Sequence, residues 1–151
     1  MKLTLKIKSF EELTTDELYE ILKARSEVFM LGQHIICQDM DGVDKTATHV
    51  FYQDEKGEVQ AYLRMFPKAD EEDTIQIGRV LTRKPLRGLG LGVKLMEDAM
   101  DYAADEMGRP KAFVHSQEYA AGFYEKLGFK VSSEPFMEEG VSHVEMRREP
   151  E

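Results

Sequence analysis

The sequence predicts an α/β fold, a mixed and mostly antiparallel sheet flanked by helices. Three observations predict it. Apolar and polar residues alternate in the first segment and again between residues 49 and 82, the period of half-buried strands. Two other stretches carry apolar residues three and four positions apart, the period of amphipathic helices. The elements run strand, helix, several antiparallel strands, then strand–helix–strand–helix–strand–strand, and a strand–helix–strand unit is the usual source of a parallel pair.

Each element has its own signal. Leu3, Leu5 and Ile7 alternate and read as an edge or half-buried strand. Thr14 with Glu17 three residues on forms a capping box, and Leu18, Ile21, Leu22, Arg25, Val28 and Phe29 follow at helical spacing. Residues 32–48 have no clear period and read as a loop or a short second helix. Val50 and Tyr52, then Val59, Ala61, Leu63 and Met65, flank the turn DEKGE and read as a hairpin. After the turn PKADEEDT, the run TIQIGRVLT, with Ile75 and Ile77 alternating, is a further strand. A glycine-rich stretch opens a helix that reaches about Met107, with Leu95, Met96, Ala99 and Ala103 on one face. GRP ends it, and KAFVH is a short strand. QEYAAGFYEKLG reads as a helix closed by Gly128. FKV and VSHVEMRR are the final strands, joined by SSEPFMEEG, and the acidic tail is expected to fray.

Composition bounds the class. The 151 residues suit one domain over the whole of 1–151, with no internal repeat or linker. A net charge of −9 disfavours binding to nucleic-acid phosphates and weakly favours cationic or amine-bearing partners. The single cysteine, Cys37, excludes an internal disulfide and suggests a reducing compartment, the cytoplasm. No long uncharged apolar run is present, so no membrane span is expected, and the alternating N-terminus lacks the apolar stretch of a signal peptide.

The glycine stretch carries the first chemical signal. Arg87, Gly88, Leu89, Gly90, Leu91 and Gly92 follow a strand directly and open a helix. Helix N-termini present unpaired amides and the positive end of the dipole, and glycines let main chain approach an anion closely. Arg83, Lys84, Arg87 and Lys94 surround the stretch in a protein that is acidic elsewhere. A dinucleotide fingerprint would need glycine at Val93, and a P-loop would need Gly-Lys-Ser/Thr, so neither fits. The competing explanation is a tight turn with close helix–sheet packing.

The pattern R-x-x-G-x-G of Arg87, Gly90 and Gly92 resembles the acyl-CoA motif of the GCN5-related N-acetyltransferase family. AAGFYEKLGFK, residues 120–130, is similar to that family's C-terminal helix signature. RSEVFMLGQ, QDMDGVD and SEPFMEEGVSHVEM resemble segments of the family's ElaA-like branch, with Gly32 in place of a usual glutamate. The resemblance covers nearly the whole chain.

It implies an acyl-CoA N-acyltransferase fold whose sheet splays near GRVLT and FVHSQ, and an enzyme that moves an acetyl group from acetyl-CoA, with no metal, to a primary amine. Backbone groups of Val80 and Thr82, with Leu81 between them, would pair with the pantetheine arm. Amides from Arg87 through Gly88, Leu89, Gly90, Leu91, Gly92 and Val93 would cradle the pyrophosphate, and Gln117 would hydrogen-bond the arm. Tyr124 occupies the family's position for the acid that protonates the departing thiolate. Read from the residues alone, Tyr124 is first an aromatic packed beside Phe123 and Leu127, and it is the motif that gives it the catalytic role.

The strand before the loop carries no carboxylate to act as base. His34, His49, Asp41, Asp44 or an ordered water is left for that role. The acceptor, a small-molecule amine or a peptide or protein amine, is expected beside residues 33–44. Gln33, Asp41 and Asp44 are candidates for its site, with Arg64, Arg79 and His143 as the next choice. Family members are often dimers, so a homodimer is open, and a non-catalytic acyl-CoA-binding module is the rival reading. The four histidines show no metal-ligand spacing, the DMDGVD run is a poor calcium loop, and no G-x-S-x-G turn is present.

Overall fold

The computed structural model describes residues 1–35 and 37–150. Ile36, inside the loop predicted for 32–48, and Glu151, at the end of the predicted tail, lie outside the described residues. Alternation becomes strand wherever it was strongest. The strands are β1 (Thr4–Ser9), β2 (Thr48–Gln53), β3 (Val59–Pro67), β4 (Thr74–Thr82), β5 (Lys111–Gln117), β6 (Lys130–Val131), β7 (Phe136–Glu138) and β8 (Val141–Arg148), and the α-helices are α1 (Thr15–Arg25), α2 (Leu91–Met107) and α3 (Ala121–Glu125). The sheet runs β1-β2-β3-β4-β5-β8-β6, with β7 also on β8. Among the described residues only β4 and β5 pair in parallel, and α2 is the crossover between them.

Helices cover both faces. Leu95, Met96, Ala99 and Ala103 of α2, with Tyr124 and Phe129, pack on Val50, Leu63, Ile75, Ile77, Val114 and Met146. On the other face Ile21, Ala24 and Val28 pack on Phe51, Val59, Tyr62 and Leu81. The central strands β2 and β3 therefore show alternate residues to two different apolar layers, which makes their register costly to change.

Three elements differ from the sequence reading. The first helix runs as far as its spacing predicts but changes pitch after Arg25, where Ser26–Gly32 winds as a wider π-helical stretch. The helix predicted over 117–128 is much shorter: Glu118–Ala120 is a 3-10 turn and only Ala121–Glu125 is α-helix. Its end is a Schellman turn, in which the Phe129 amide bonds the Tyr124 carbonyl (3.1 Å) and the Gly128 amide bonds the Glu125 carbonyl (3.0 Å). Gly128 there has φ of +93°. The joining segment 132–140 contains the strand β7, which forms a hairpin with β8 through Glu139 and Gly140, both at positive φ. Two such residues make the tight turn whose twist matches flanking strands.

The capping box forms as predicted. The Glu17 amide donates to Thr14 Oγ1 (3.0 Å) and the Thr14 amide to Glu17 Oε1 (2.9 Å). Lys6 and Lys8, from the edge strand β1, also reach the Glu17 carboxylate at 2.7 and 2.9 Å. Burial alone would raise this group, but the hydrogen bonds from Lys6, Thr14 and Lys8 outweigh it and hold the carboxyl at about 2. A depressed carboxyl contributes stability that is present above its unfolded value, about 4.3, and is lost as pH falls through the folded one. Glu17→Gln should therefore cost on the order of 2 kcal/mol at neutral pH, progressively less below about pH 4, and almost nothing once the pH is well below the folded value. Urea melts at pH 7 and at acid pH check this, and an equal loss at both would show the charge to be irrelevant.

Candidate active site

Parallel pairing between β4 and β5 runs from Thr74↔Lys111 to Ile77↔Val114 and stops there. Beyond it β4 continues to Thr82 and β5 to Gln117, each without the other, so the sheet opens into a splay. On its far edge β4 stays paired with β3, but the register slips between Tyr62↔Leu81 and Arg64↔Gly78, leaving one extra residue on β4. That is a β-bulge, and within it Arg79 has φ of +51°. A cavity of about 1030 Å³ fills the splay, at the upper end of small-molecule sites.

Val80, Leu81 and Thr82 line one wall of the cavity, and Arg87, Gly88, Gly90, Leu91, Gly92 and Val93 close one end. Leu89 is not on the wall and is 73% exposed. The glycines have separate physical reasons. Gly90 is the N-cap of α2 with φ of +79°, a left-handed turn that a side chain would strain. A Cβ on Gly92 would sit 3.3 Å from Thr82 Oγ1 and 3.4 Å from the Phe123 ring, so this glycine lets α2 press on β4 and α3. No side chain caps α2 and its first turn holds no acid, so its amides and dipole face the cavity end unopposed.

The basic surroundings are less available than their sequence suggests. Arg83 pairs with Glu27 and, at 3.3 Å, with Glu58; Lys94 pairs with Asp98 at 3.2 Å; and Arg87 Nε donates to the Thr82 carbonyl at 3.0 Å. Positive potential at this end comes from the α2 amides together with Arg87, whose carbonyl partner leaves its charge uncancelled.

Tyr124 lies on α3 between Phe123 and Phe129, edge-on to both at 5.1 and 5.7 Å, and lines the same cavity. Burial pushes its phenol up to about 12. The hydroxyl has no hydrogen-bond partner among the described residues, yet it is not a sealed-off orphan atom, so it opens onto the cavity.

The opposite side of the splay is ruled by charge. Arg25, 1% exposed, donates to Asp39 Oδ2 (2.9 Å), the Asp39 carbonyl (3.1 Å) and Asp44 Oδ1 (2.7 Å). Arg64 binds both oxygens of Asp41 at 2.6 and 2.8 Å and reaches Asp44 at 3.1 Å. Arg79, aimed by the bulge, donates to Asp39 Oδ1 at 2.8 Å. Hydrogen bonds from Arg64 hold the Asp41 carboxyl well below its ordinary value despite burial. For Asp44, burial is outweighed by Arg25 and Arg64, and its carboxyl is also depressed. Asp41, Arg64 and Arg79 face the cavity, whereas Asp44 is buried behind its wall. Gln33 and Gln117 reach across the cavity mouth, Gln117 Nε2 donating to Gln33 Oε1 at 3.1 Å.

Two base candidates are placed away from the cavity. His49 is fully buried, with Nε2 donating to the Asp44 carbonyl (2.9 Å) and Nδ1 accepting from the Tyr62 hydroxyl (2.6 Å). Burial lowers its proton affinity, so it stays neutral and structural. His34 is exposed and off the cavity wall. His143, in contrast, is 7% exposed and lines the cavity.

The sequence reading missed His115, Glu138 and Arg25 as site residues. Glu138 sat in a segment taken for a connection, and the available signal was the Glu139–Gly140 pair between two short alternating runs. Arg25 sat on the apolar face of a helix, where a lone arginine implies buried acids to receive it. Among the described residues, no three His, Cys, Asp or Glu side chains are grouped to hold a metal ion, and no helix is long and apolar enough to cross a membrane.

Comparison with known proteins agrees with this architecture. The family model described as an acetyltransferase (GNAT) domain matches residues 14–150. A UPF0039 protein of Schizosaccharomyces pombe is 37% identical over 143 residues, covering 94% of each chain. Protein ElaA of Escherichia coli is 31% identical over 139 residues, covering 91% of each. Its crystal structure superposes with a TM-score of 0.89 over 98% of this chain and 100% of that one, at 29% identity. The crystal structure of an acyl-CoA N-acyltransferase from Pseudomonas aeruginosa gives a TM-score of 0.88 over 97% and 99%, at 32% identity.

Proposed function

This chain belongs to the GNAT acetyltransferase family, whose fold serves acyl transfer from acyl-CoA, and we propose that it acts as one N-acetyltransferase domain, moving acetyl from acetyl-CoA to a primary amine in the cytoplasm. The observation that carries this reading is the splay of β4 from β5, which leads from an uncapped helix N-terminus to the Tyr124 hydroxyl in one cavity. The edge of β4 from Gly78 to Thr82 has no strand partner on the β5 side, so Val80, Leu81 and Thr82 can pair with the amide-bearing arm of the cosubstrate. The α2 amides and the Arg87–Val93 loop suit its pyrophosphate. Gln117, at the end of β5, faces the same path.

Attack by a neutral amine forms a C–N bond at the thioester carbon and breaks the C–S bond. The sulfur leaves as a thiolate that needs a proton. The Tyr124 phenol, protonated at every physiological pH, supplies a hydrogen bond and then a proton to it. Desolvation in the same apolar wall also raises the thiolate's affinity for a proton, which narrows the gap to the phenol. Asp41 and Asp44 have a different part from the one their sequence suggested. Held ionised by Arg64 and Arg25, they are poor proton acceptors, and they fix the loop that walls the acceptor side.

Thiol release from acetyl-CoA with a panel of amines (benzylamine, tyramine, spermidine and a lysyl peptide) tests the activity. Release with at least one amine is expected. Tight acetyl-CoA binding with no release from any would instead make the chain an acyl-CoA-binding module. Gly90→Val tests the phosphate end: calorimetry should show acetyl-CoA affinity lowered at least tenfold in a variant whose circular dichroism is native, and unchanged affinity would move the cofactor elsewhere.

A further inference from the structure

We propose that His143 is the group that takes the proton from the acceptor amine, and that Glu138, itself held by His115, positions and stabilises it. This rests on the transferase reading above and names the partner of Tyr124 that the strand before the loop lacks.

The register places His143 of β8 directly opposite Gln117 of β5, at the end of β5 that no longer pairs with β4. His143 therefore stands on the wall of the splay, on the same cavity as Tyr124. Its Nδ1 lies 2.8 Å from the Val141 carbonyl. A carbonyl only accepts, so Nδ1 carries the hydrogen and Nε2 is left with the lone pair in the neutral ring. Glu138 Oε2 lies 3.6 Å from that Nε2. Its other oxygen, Oε1, accepts from His115 Nδ1 at 3.0 Å. Phe136 stacks on His143 with ring centres 6.1 Å apart and meets His115 edge-on at 5.3 Å, which fixes both rings. The tight Glu139–Gly140 turn of the β7–β8 hairpin sets Glu138 across from Val141, beside the carbonyl that fixes the ring.

The other charged groups near this site do not compete for the role. Asp39, Asp41 and Asp44 are bound by Arg25, Arg64 and Arg79. Glu145 lies 3.7 Å from His115 Nε2, on the far side of that ring from Glu138, and Glu118 accepts from the Ser142 hydroxyl at 2.8 Å. Burial raises the Cys37 thiol on the opposite wall, with Glu139 adding to it, so Cys37 is a thiol rather than a thiolate. Glu138, with Glu139 beside it, also gives the cavity the negative charge that draws an ammonium ion.

The protons balance as follows. The acceptor arrives as R–NH3⁺ and passes one proton to His143 Nε2, leaving R–NH2 and an imidazolium beside Glu138. After the C–N bond forms, the nitrogen sheds a second proton. The departing thiolate gains one from Tyr124, which recovers its own from the nitrogen through water. The net products are the amide, the free thiol and one proton, which His143 returns to solvent.

The test measures thiol release from acetyl-CoA across pH with the same amine panel, for the wild type and for His143→Asn, His143→Gln and Glu138→Gln. Asn keeps a donor near the Val141 carbonyl, and Gln keeps length without basicity. In the wild type, kcat/KM for the amine should fall on the acid side as the imidazole protonates. Both His143 variants should lose about a hundredfold in kcat/KM near pH 7.5 and lose that acid limb, with acetyl-CoA affinity by calorimetry unchanged. Glu138→Gln should lower kcat/KM for the amine about tenfold near pH 7.5, more through KM than through kcat, because the cavity loses the charge that faces the imidazole and the incoming ammonium. If both folded His143 variants keep the wild-type rate and limb, another base acts and the assignment falls. If wild type turns over none of the amines, the transferase reading falls and the base assignment falls with it.

Discussion

Tyr124→Phe should lower the turnover number of acyl transfer by about a hundredfold or more while leaving affinity for acetyl-CoA and the melting temperature close to wild type. The ring survives in the substitution, so its edge contacts with Phe123 and Phe129 survive as well. The deleted hydroxyl has no hydrogen-bond partner among the described residues, so its removal strands no buried donor. Its loss is felt only when negative charge gathers on the leaving sulfur. Because burial pushes the phenol up to about 12, any alkaline limb seen near pH 9 in the wild type should persist in the variant. The measurement is single-turnover thiol release, in which chemistry and product release are separated. A variant with the full single-turnover rate would reduce Tyr124 to a packing residue.

Arg25→Met has the largest expected effect on stability, about 3–5 kcal/mol in a urea melt. The arginine is almost completely enclosed and makes charged hydrogen bonds to Asp39 and Asp44, with its guanidinium 5.8 Å from the centre of the Tyr62 ring. Methionine fills much of the volume but leaves Asp44 dependent on Arg64 alone and Asp39 on Arg79. Arg25→Lys should recover little of the loss, since an ammonium cannot reproduce the fork that meets Asp39 and Asp44 together. A loss below about 1 kcal/mol would mean that the remaining arginines rearrange to take up both acids.

Much of the fold was readable because each periodic run meets one apolar layer. The alternation in TIQIGRVLT separates Ile75 and Ile77, under α2, from Gln76 and Gly78, and the helical spacing of Leu95, Met96, Ala99 and Ala103 is the face laid on the sheet. The short elements were not readable in the same way. α3 has only five residues, and its limits come from the Schellman turn and the preceding 3-10 turn rather than from a repeating apolar face. β7 has three residues, too few to show a period.

At the candidate site, the glycine loop was legible because positive φ at Gly90 and the tight packing of Gly92 demand glycine locally. The charged wall across from it was not. Asp39, Asp41 and Asp44 looked like free carboxylates because their partners, Arg25, Arg64 and Arg79, lie 14 to 40 residues away in sequence. Pairing over such distances is set by the bulge in β4 and by the end of α1, neither of which a local pattern encodes.

The parallel ladder between β4 and β5 affects how the molecule tolerates change. Two parallel neighbours require a crossover, the crossover here is α2, and its first turn opens at the mouth of the splay. The uncapped end of α2, proposed above to meet the pyrophosphate, is thus a by-product of connectivity, so substitutions there disturb the chain path as well. The segments that wall the other end, residues 37–47 and 132–140, hang from the sheet by side chains and one short hairpin. Libraries aimed at a new acceptor should therefore be built in those two segments around the charged anchors, where sequence can drift without unthreading the fold.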